Sequence, residues 1–233
     1  MYKDIEKQIT FLNTIFDEFN KEKIDYCVLR NYEKIPYDIG NDIDFAINPN
    51  DIKKIFKLLS KISLKFNFKL IKKTNRLGHL GLYYQDINSD NLIVLDFLSK
   101  SIKQWLEYAD TNFILKARIS YKNFYVAPLG AIYYTIFFKD LLTYNKLRSK
   151  NQDLFVKISE NDKDDFIKTG KMYFDDFFLE DIFYQLVNKR ILVSRDIVYL
   201  KLIKSMNLRN FISFFYYRGL DTITYNLYWK WIK

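Results

Sequence analysis

The chain opens on a helical rhythm: Ile5, Ile9, Leu12, Phe16 and Phe19 recur with polar residues between them, which predicts a helix over 2–21. Ile24 to Arg30 is mostly apolar and reads as a strand. A polar loop from Asn31 to Asn41 follows, carrying Pro36 and closing on Gly40-Asn41. Asp42 to Ile47 reads as a second strand. Asn48-Pro49 is a helix-start signal, and Ile52, Ile55, Phe56, Leu59 and Ile62 form the buried stripe of the helix after it. Phe66 to Lys73, Gly78 to Asp86 and Leu92 to Leu98 read as extended, the last two flanking the turn residues Asn88-Ser89-Asp90 as a hairpin.

The order αββαβββ predicts a small mixed β-sheet covered by two helices. Beyond residue 99 the pattern changes. Asn123 to Ala127 is a short extended piece, Pro128 follows, and Leu129 to Leu142 is apolar nearly all round, as a buried helix is. Residues 160–176 are charge-rich and read as solvated, and several helices are expected from Asp181 onward. The fold class is therefore α+β. We expect an α/β domain over 1–127 and a mostly helical C-terminal domain over 128–233.

Composition narrows the class. The chain has 233 residues, 49% of them apolar, enough for a sizeable core. Six Gly and three Pro argue against a sandwich of many tight turns. Cys27 is the one cysteine, so no intramolecular disulfide forms, and its apolar neighbours predict a buried small hydrophobe. The charged, amphipathic N-terminus lacks the apolar stretch of a signal peptide, and no uninterrupted run suits a membrane span, so a cytoplasmic protein is expected. A formal charge of +9 favours anionic partners. Nucleotide or anionic lipid ranks above nucleic acid, because no zinc-finger or helix-turn-helix signature accompanies the charge. The C-terminal stretch 207–233 mixes Trp and Tyr with Arg and Lys, which suits either peripheral membrane contact, at the inner face of the membrane, or packing on the domain.

The chemistry centres on Gly40-Asn41-Asp42-Ile43-Asp44-Phe45. Side chains alternate along a strand, so Asp42 and Asp44 share one face about 7 Å apart, while Ile43, Phe45 and Ile47 face a core. Two carboxylates placed so suit Mg²⁺ or Mn²⁺, which take oxygen ligands. Asp96 interrupts the apolar run Leu92 to Leu98, and a buried carboxylate is costly unless paired or bound to metal. Adjacent strands would bring the three acids together. His79, the single histidine, is expected near the site edge as a hydrogen-bonded structural residue or a general base. Lys72, Lys73 and Arg76 form a basic cluster read as a solvated strand end.

This pattern resembles the DNA polymerase beta-like nucleotidyltransferase superfamily, which carries an Asp-x-Asp pair, a third acid on a later strand and a Gly-Ser motif some ten residues before the pair. Leu29-Arg30-Asn31-Tyr32 and Gly40-Asn41-Asp42-Ile43-Asp44 look like the branch found in surface-polysaccharide biosynthesis clusters. The resemblance covers about residues 20–100. It implies catalysis and metal binding by Asp42, Asp44 and Asp96, nucleotide contacts from Arg30, Asn31, Gly40 and Asn41, and Mg²⁺ or Mn²⁺ as cofactor. The substrates it implies are an NTP and a small-molecule or glycan-precursor acceptor. Arg30-Asn31 stands where the family has Gly-Ser. That departure leaves an alternative, a non-catalytic module, antitoxin-like or partner-binding, that keeps the fold.

Overall fold

A computed structural model describes residues 2–76, 78–103 and 106–205. The chain divides into two compact units, one from Met1–Ser101 with Asp110–Ile132, the other from the described residues of Ile102–Ala109 with Tyr133–Lys233. The class is α+β, as expected.

In the first unit, α1 (Tyr2–Lys21) buries Phe11, Leu12, Ile15, Phe16 and Phe19, one stripe at helical spacing. Ile5 lies outside that stripe and is exposed. The strands are β1 (Tyr26–Val28), β2 (Ile43–Ile47), β3 (Phe68–Arg76), β4 (His79–Asp86), β5 (Leu92–Leu98), β8 (Ile119–Tyr121) and β9 (Phe124–Val126). They form one sheet in the order β3-β4-β5-β2-β1-β9-β8. β2 runs parallel to β5, and β1 parallel to β9, while the other pairs are antiparallel, so the sheet is mixed. Helix α2 (Ile52–Lys65) follows a 3-10 turn capped by Asn48, whose side chain accepts from the Asn50 N–H. It buries Ile55, Leu59 and Ile62.

One sheet face and these two helices enclose an aromatic core. Phe45 stacks on Phe97 with centroids 5.0 Å apart, and Phe11 lies 4.4 Å from Phe68. Ile43, Phe45 and Ile47 point into it, as strand alternation requires when Asp44 faces the other way. Cys27 is buried as expected, and burial pushes its thiol up to about 12. The short helix α3 (Thr111–Lys116) is capped by Asp110, which accepts from Asn112 and Phe113 at 3.0 and 3.1 Å.

The second unit is mostly helical: α4 (Leu129–Tyr144, entering it at Tyr133), α5 (Ser149–Phe155), α6 (Lys163–Gly170), α7 (Asp176–Val187) and α8 (Arg195–Ser205), with the ribbon β6 (Ser101–Lys103) and β7 (Leu106–Ala109). The reading of 160–176 as solvated is corrected here. Phe166, Thr169 and Gly170 of α6 are buried, as are Asp162 and Phe174. Charges fill the outer face while single aromatics enter a cluster in which Tyr134 lies 5.1 Å from Phe166 and Phe138 lies 5.0 Å from Phe174. No helix among the described residues is long and apolar enough to cross a membrane. The aromatic, basic stretch 207–233 lies outside the described residues.

Candidate metal centre

The parallel β2–β5 pairing sets Asp44 directly beside Asp96, with Ile43 opposite Leu95 and Phe45 opposite Phe97. Because the core residues share one face, both carboxylates project from the other. Asp42 immediately precedes β2. Gly40 turns the chain there with φ +59°, a conformation glycine adopts without Cβ strain, and the Asp38 side chain accepts its N–H at 2.9 Å. Asp42, Asp44 and Asp96 each offer an oxygen within 4.8 Å of the others. Asp44 is buried and the other two are half-buried.

Two full negative charges 4.8 Å apart repel by about 3 kcal/mol at an effective dielectric near 20. Arg30 offsets part of this: its guanidinium Nε ion-pairs with Asp44 Oδ2, in a site where both side chains are largely buried. The Leu29 N–H donates to the Asp44 carbonyl at 2.9 Å, which carries Arg30 to the acid strand. Asn31 stands in the left-handed region at φ 55°, a conformation that Asn tolerates better than most residues. Asn31, Gly40 and Asn41 are exposed.

Asp96 is held from the β4 side. His79 Nε2 is 3.3 Å from Asp96 Oδ2. Gly81 lies opposite Asp96 in the β4–β5 register, and a Cβ on it would stand 2.9 Å from Asp96 Oδ1 and 2.4 Å from Thr74 Oγ1. Only a residue without a side chain leaves that space. Asp96 Oδ1 is buried and has no hydrogen-bond partner among the described residues. An orphaned carboxylate oxygen beside two further carboxylates is the donor set that a hard divalent cation satisfies. Cis oxygen ligands of Mg²⁺ lie about 3 Å apart, so modest side-chain rotation would close the three acids on one ion. The residues present fit a metal.

The chain is similar in structure to two solved proteins. One, from H. pylori and provisionally named a nucleotidyltransferase, shares 11% identity at a TM-score of 0.36, over 88% of this chain and 98% of that one. The other, JHP933 from Helicobacter pylori, shares 10% identity at a TM-score of 0.36, over 96% of each chain. Likenesses this loose carry no functional weight. No protein-family model and no curated protein matches the chain.

The structure thus brings the three predicted acids together and places Arg30 on one of them. Two features were not anticipated. Arg30 ion-pairs with Asp44, one of the three acids, and Gly81 makes room for Asp96. The second was within reach of the sequence, because a hairpin turning at Asn88-Ser89-Asp90 sets Gly81 opposite Asp96. Lys72, Lys73 and Arg76 are exposed as read, and lie in the second half of β3, which ends at Arg76.

Proposed function

We propose that the chain is a divalent-metal-dependent nucleotidyltransferase that moves a nucleoside monophosphate from an NTP to a hydroxyl of a small-molecule or glycan-precursor acceptor. The observation that carries this reading is the convergence of Asp42, Asp44 and Asp96, with one buried Asp96 oxygen left unpartnered. Asp42, Asp44 and Asp96 are the metal-holding residues, for Mg²⁺ or Mn²⁺. The bound ion supplies charge neutralisation at the phosphates and acidity at the attacking hydroxyl. In the transfer, the acceptor oxygen bonds to the α-phosphorus, the bond from that phosphorus to the bridging oxygen breaks, and pyrophosphate leaves. Asp96 receives the proton the hydroxyl gives up. Arg30, Asn31, Gly40 and Asn41, adjoining the acid strand, are the proposed nucleotide contacts, Arg30 through its forked guanidinium. The motifs Leu29-Arg30-Asn31-Tyr32 and Gly40-Asn41-Asp42-Ile43-Asp44 support a place in surface-polysaccharide assembly, in the cytoplasm where NTPs are made.

A second reading draws on the Arg30–Asp44 pair, which supplies positive charge without an ion. A non-catalytic module of this kind binds nucleotide or protein partner equally well in EDTA and in Mn²⁺. Pyrophosphate release, measured across the four NTPs with phospho-sugar acceptors and Mn²⁺, separates the two. Asp42→Asn is expected to lower release at least about a hundred-fold with the far-UV circular dichroism unchanged. Release that survives this change, or nucleotide binding indifferent to Mn²⁺, defeats the enzyme reading.

A further inference from the structure

One feature of the first unit is not used by the acid cluster. Between Asp51 and Asp86 the sequence has nine Lys or Arg and no Asp or Glu. α2 and β3 bring three of those cations to the rim of a cavity of about 330 Å³. The floor is apolar: Ile52 and Phe56 from α2, Leu80 from β4 and Phe97 from β5. The rim carries Lys53, Lys73 and Arg76, all exposed and none ion-paired to a described residue. Their neighbour Lys54, by contrast, is tied to Glu22 at 3.1 Å. The Lys73 ammonium stands 4.6 Å from the Phe56 ring centroid, so positive charge and apolar floor are adjacent. Lysines on an edge strand also deter pairing with another sheet. That accounts for β3 alone, not for Lys53 on α2 or for the cavity between them.

His79 lines the cavity and sets its Nε2 3.3 Å from Asp96 Oδ2, but the floor residues Leu80 and Phe97 belong to the core side of the sheet, opposite the face from which Asp44 and Asp96 project. We propose that this cavity is a binding site, separate from the acid cluster, for an organic phosphate with about one ring of apolar surface. Unpaired cations at the rim hold the phosphate, and Phe56 and Ile52 take the ring face. The volume lies at the small end of ligand sites, which run from about 300 to 1,000 Å³, and so selects a monomeric ligand over a polymer.

Fluorescence titration of the full chain with 1-naphthyl phosphate tests the cavity, with 1-naphthol and inorganic phosphate as controls. Saturable binding of the ester is expected, with each control weaker by about ten-fold or more. Lys53→Glu and Lys73→Glu, both at exposed positions, should each weaken the ester by a similar factor with the far-UV circular dichroism unchanged, and Asp42→Asn should leave ester binding unaffected. Equal binding of 1-naphthol, or an ester indifferent to both charge reversals, overturns the proposal. Mn²⁺ binding measured by electron paramagnetic resonance on the same samples keeps the two readings apart. Mn²⁺ bound with the ester refused defeats the cavity alone, whereas the ester bound with Mn²⁺ refused defeats the transfer reading alone.

Discussion

Two aspartates in this chain have opposite surroundings. Asp140, on α4 in the helical unit, has no exposed surface, and both of its oxygens are taken. Arg148 Nε and Nη2 each lie 2.7 Å from Oδ1, while the Arg148 N–H and the Asn151 amide donate to Oδ2 at 3.0 and 2.6 Å. Asp96, on the sheet, has His79 at 3.3 Å on one oxygen and no partner on the buried other, with two more carboxylates nearby. A saturated carboxylate ties one element to another. An unsaturated one among like charges destabilises the fold it sits in unless a ligand satisfies it. On the proposed reading, the contrast separates a structural acid from a metal-holding one.

The largest expected effect is on the saturated side. Asp140→Ala leaves the Arg148 guanidinium, its N–H and the Asn151 amide without their acceptor, and should lower unfolding free energy by about 3 kcal/mol in urea titration. A loss below about 1 kcal/mol would mean that these four contacts hold little, and the comparison would fail on its firmer half.

The two sites were unequally legible in the sequence. Asp42 and Asp44 stood out because alternation along one strand assigns faces by itself, and Asp96 because an acid within an apolar run has few explanations. α4 was readable from its unbroken apolar character. β9 was read, as the extended piece Asn123 to Ala127, but the three-residue β8 was not, and the register of Val28 with Val126 reaches across the chain, where local pattern reports nothing. The same holds for α3, a helix of six residues set by the Asp110 cap. The Arg30–Asp44 pair went unread because the two residues meet only once β1 and β2 pair. The burial of α6 was hidden by composition: charges dominate it, and Phe166 alone carries it into the aromatic cluster.

A third carboxylate falls between these extremes and titrates accordingly. Asp86, at the end of β4, is buried, with Lys7 Nζ at 2.5 Å and the Asn88 N–H at 2.9 Å. Burial pushes its pKa up, but the Lys7 ammonium and the Asn88 N–H outweigh burial and hold it below the usual 3.8. A depressed folded pKa stabilises above the unfolded value, and that stability is lost as pH falls through the folded one. Lys7→Met should therefore cost about 1–2 kcal/mol at pH 7, with the gap from the unaltered chain narrowing once pH drops below 3.8. An equal gap at pH 3 and pH 7 would show that the pair is not what sets Asp86.

The smallest effect on stability is expected where the functional claim is strongest. Asp96→Asn keeps the side chain's size and its reach to His79 while removing one of three like charges, so in EDTA the unfolding free energy should stay within about 1 kcal/mol of the unaltered chain's, or rise. Mn²⁺ is the discriminating addition. An ion that binds only the folded chain at a hundred times its Kd stabilises by about 2.7 kcal/mol, so the unaltered chain should melt higher with Mn²⁺ and Asp96→Asn should respond little. A substitution that destabilises in EDTA would place Asp96 with Asp140 as a structural tie. One that is neutral in EDTA and blind to Mn²⁺ shows an acid maintained at a cost to the empty fold, which is how a ligand site differs from a brace.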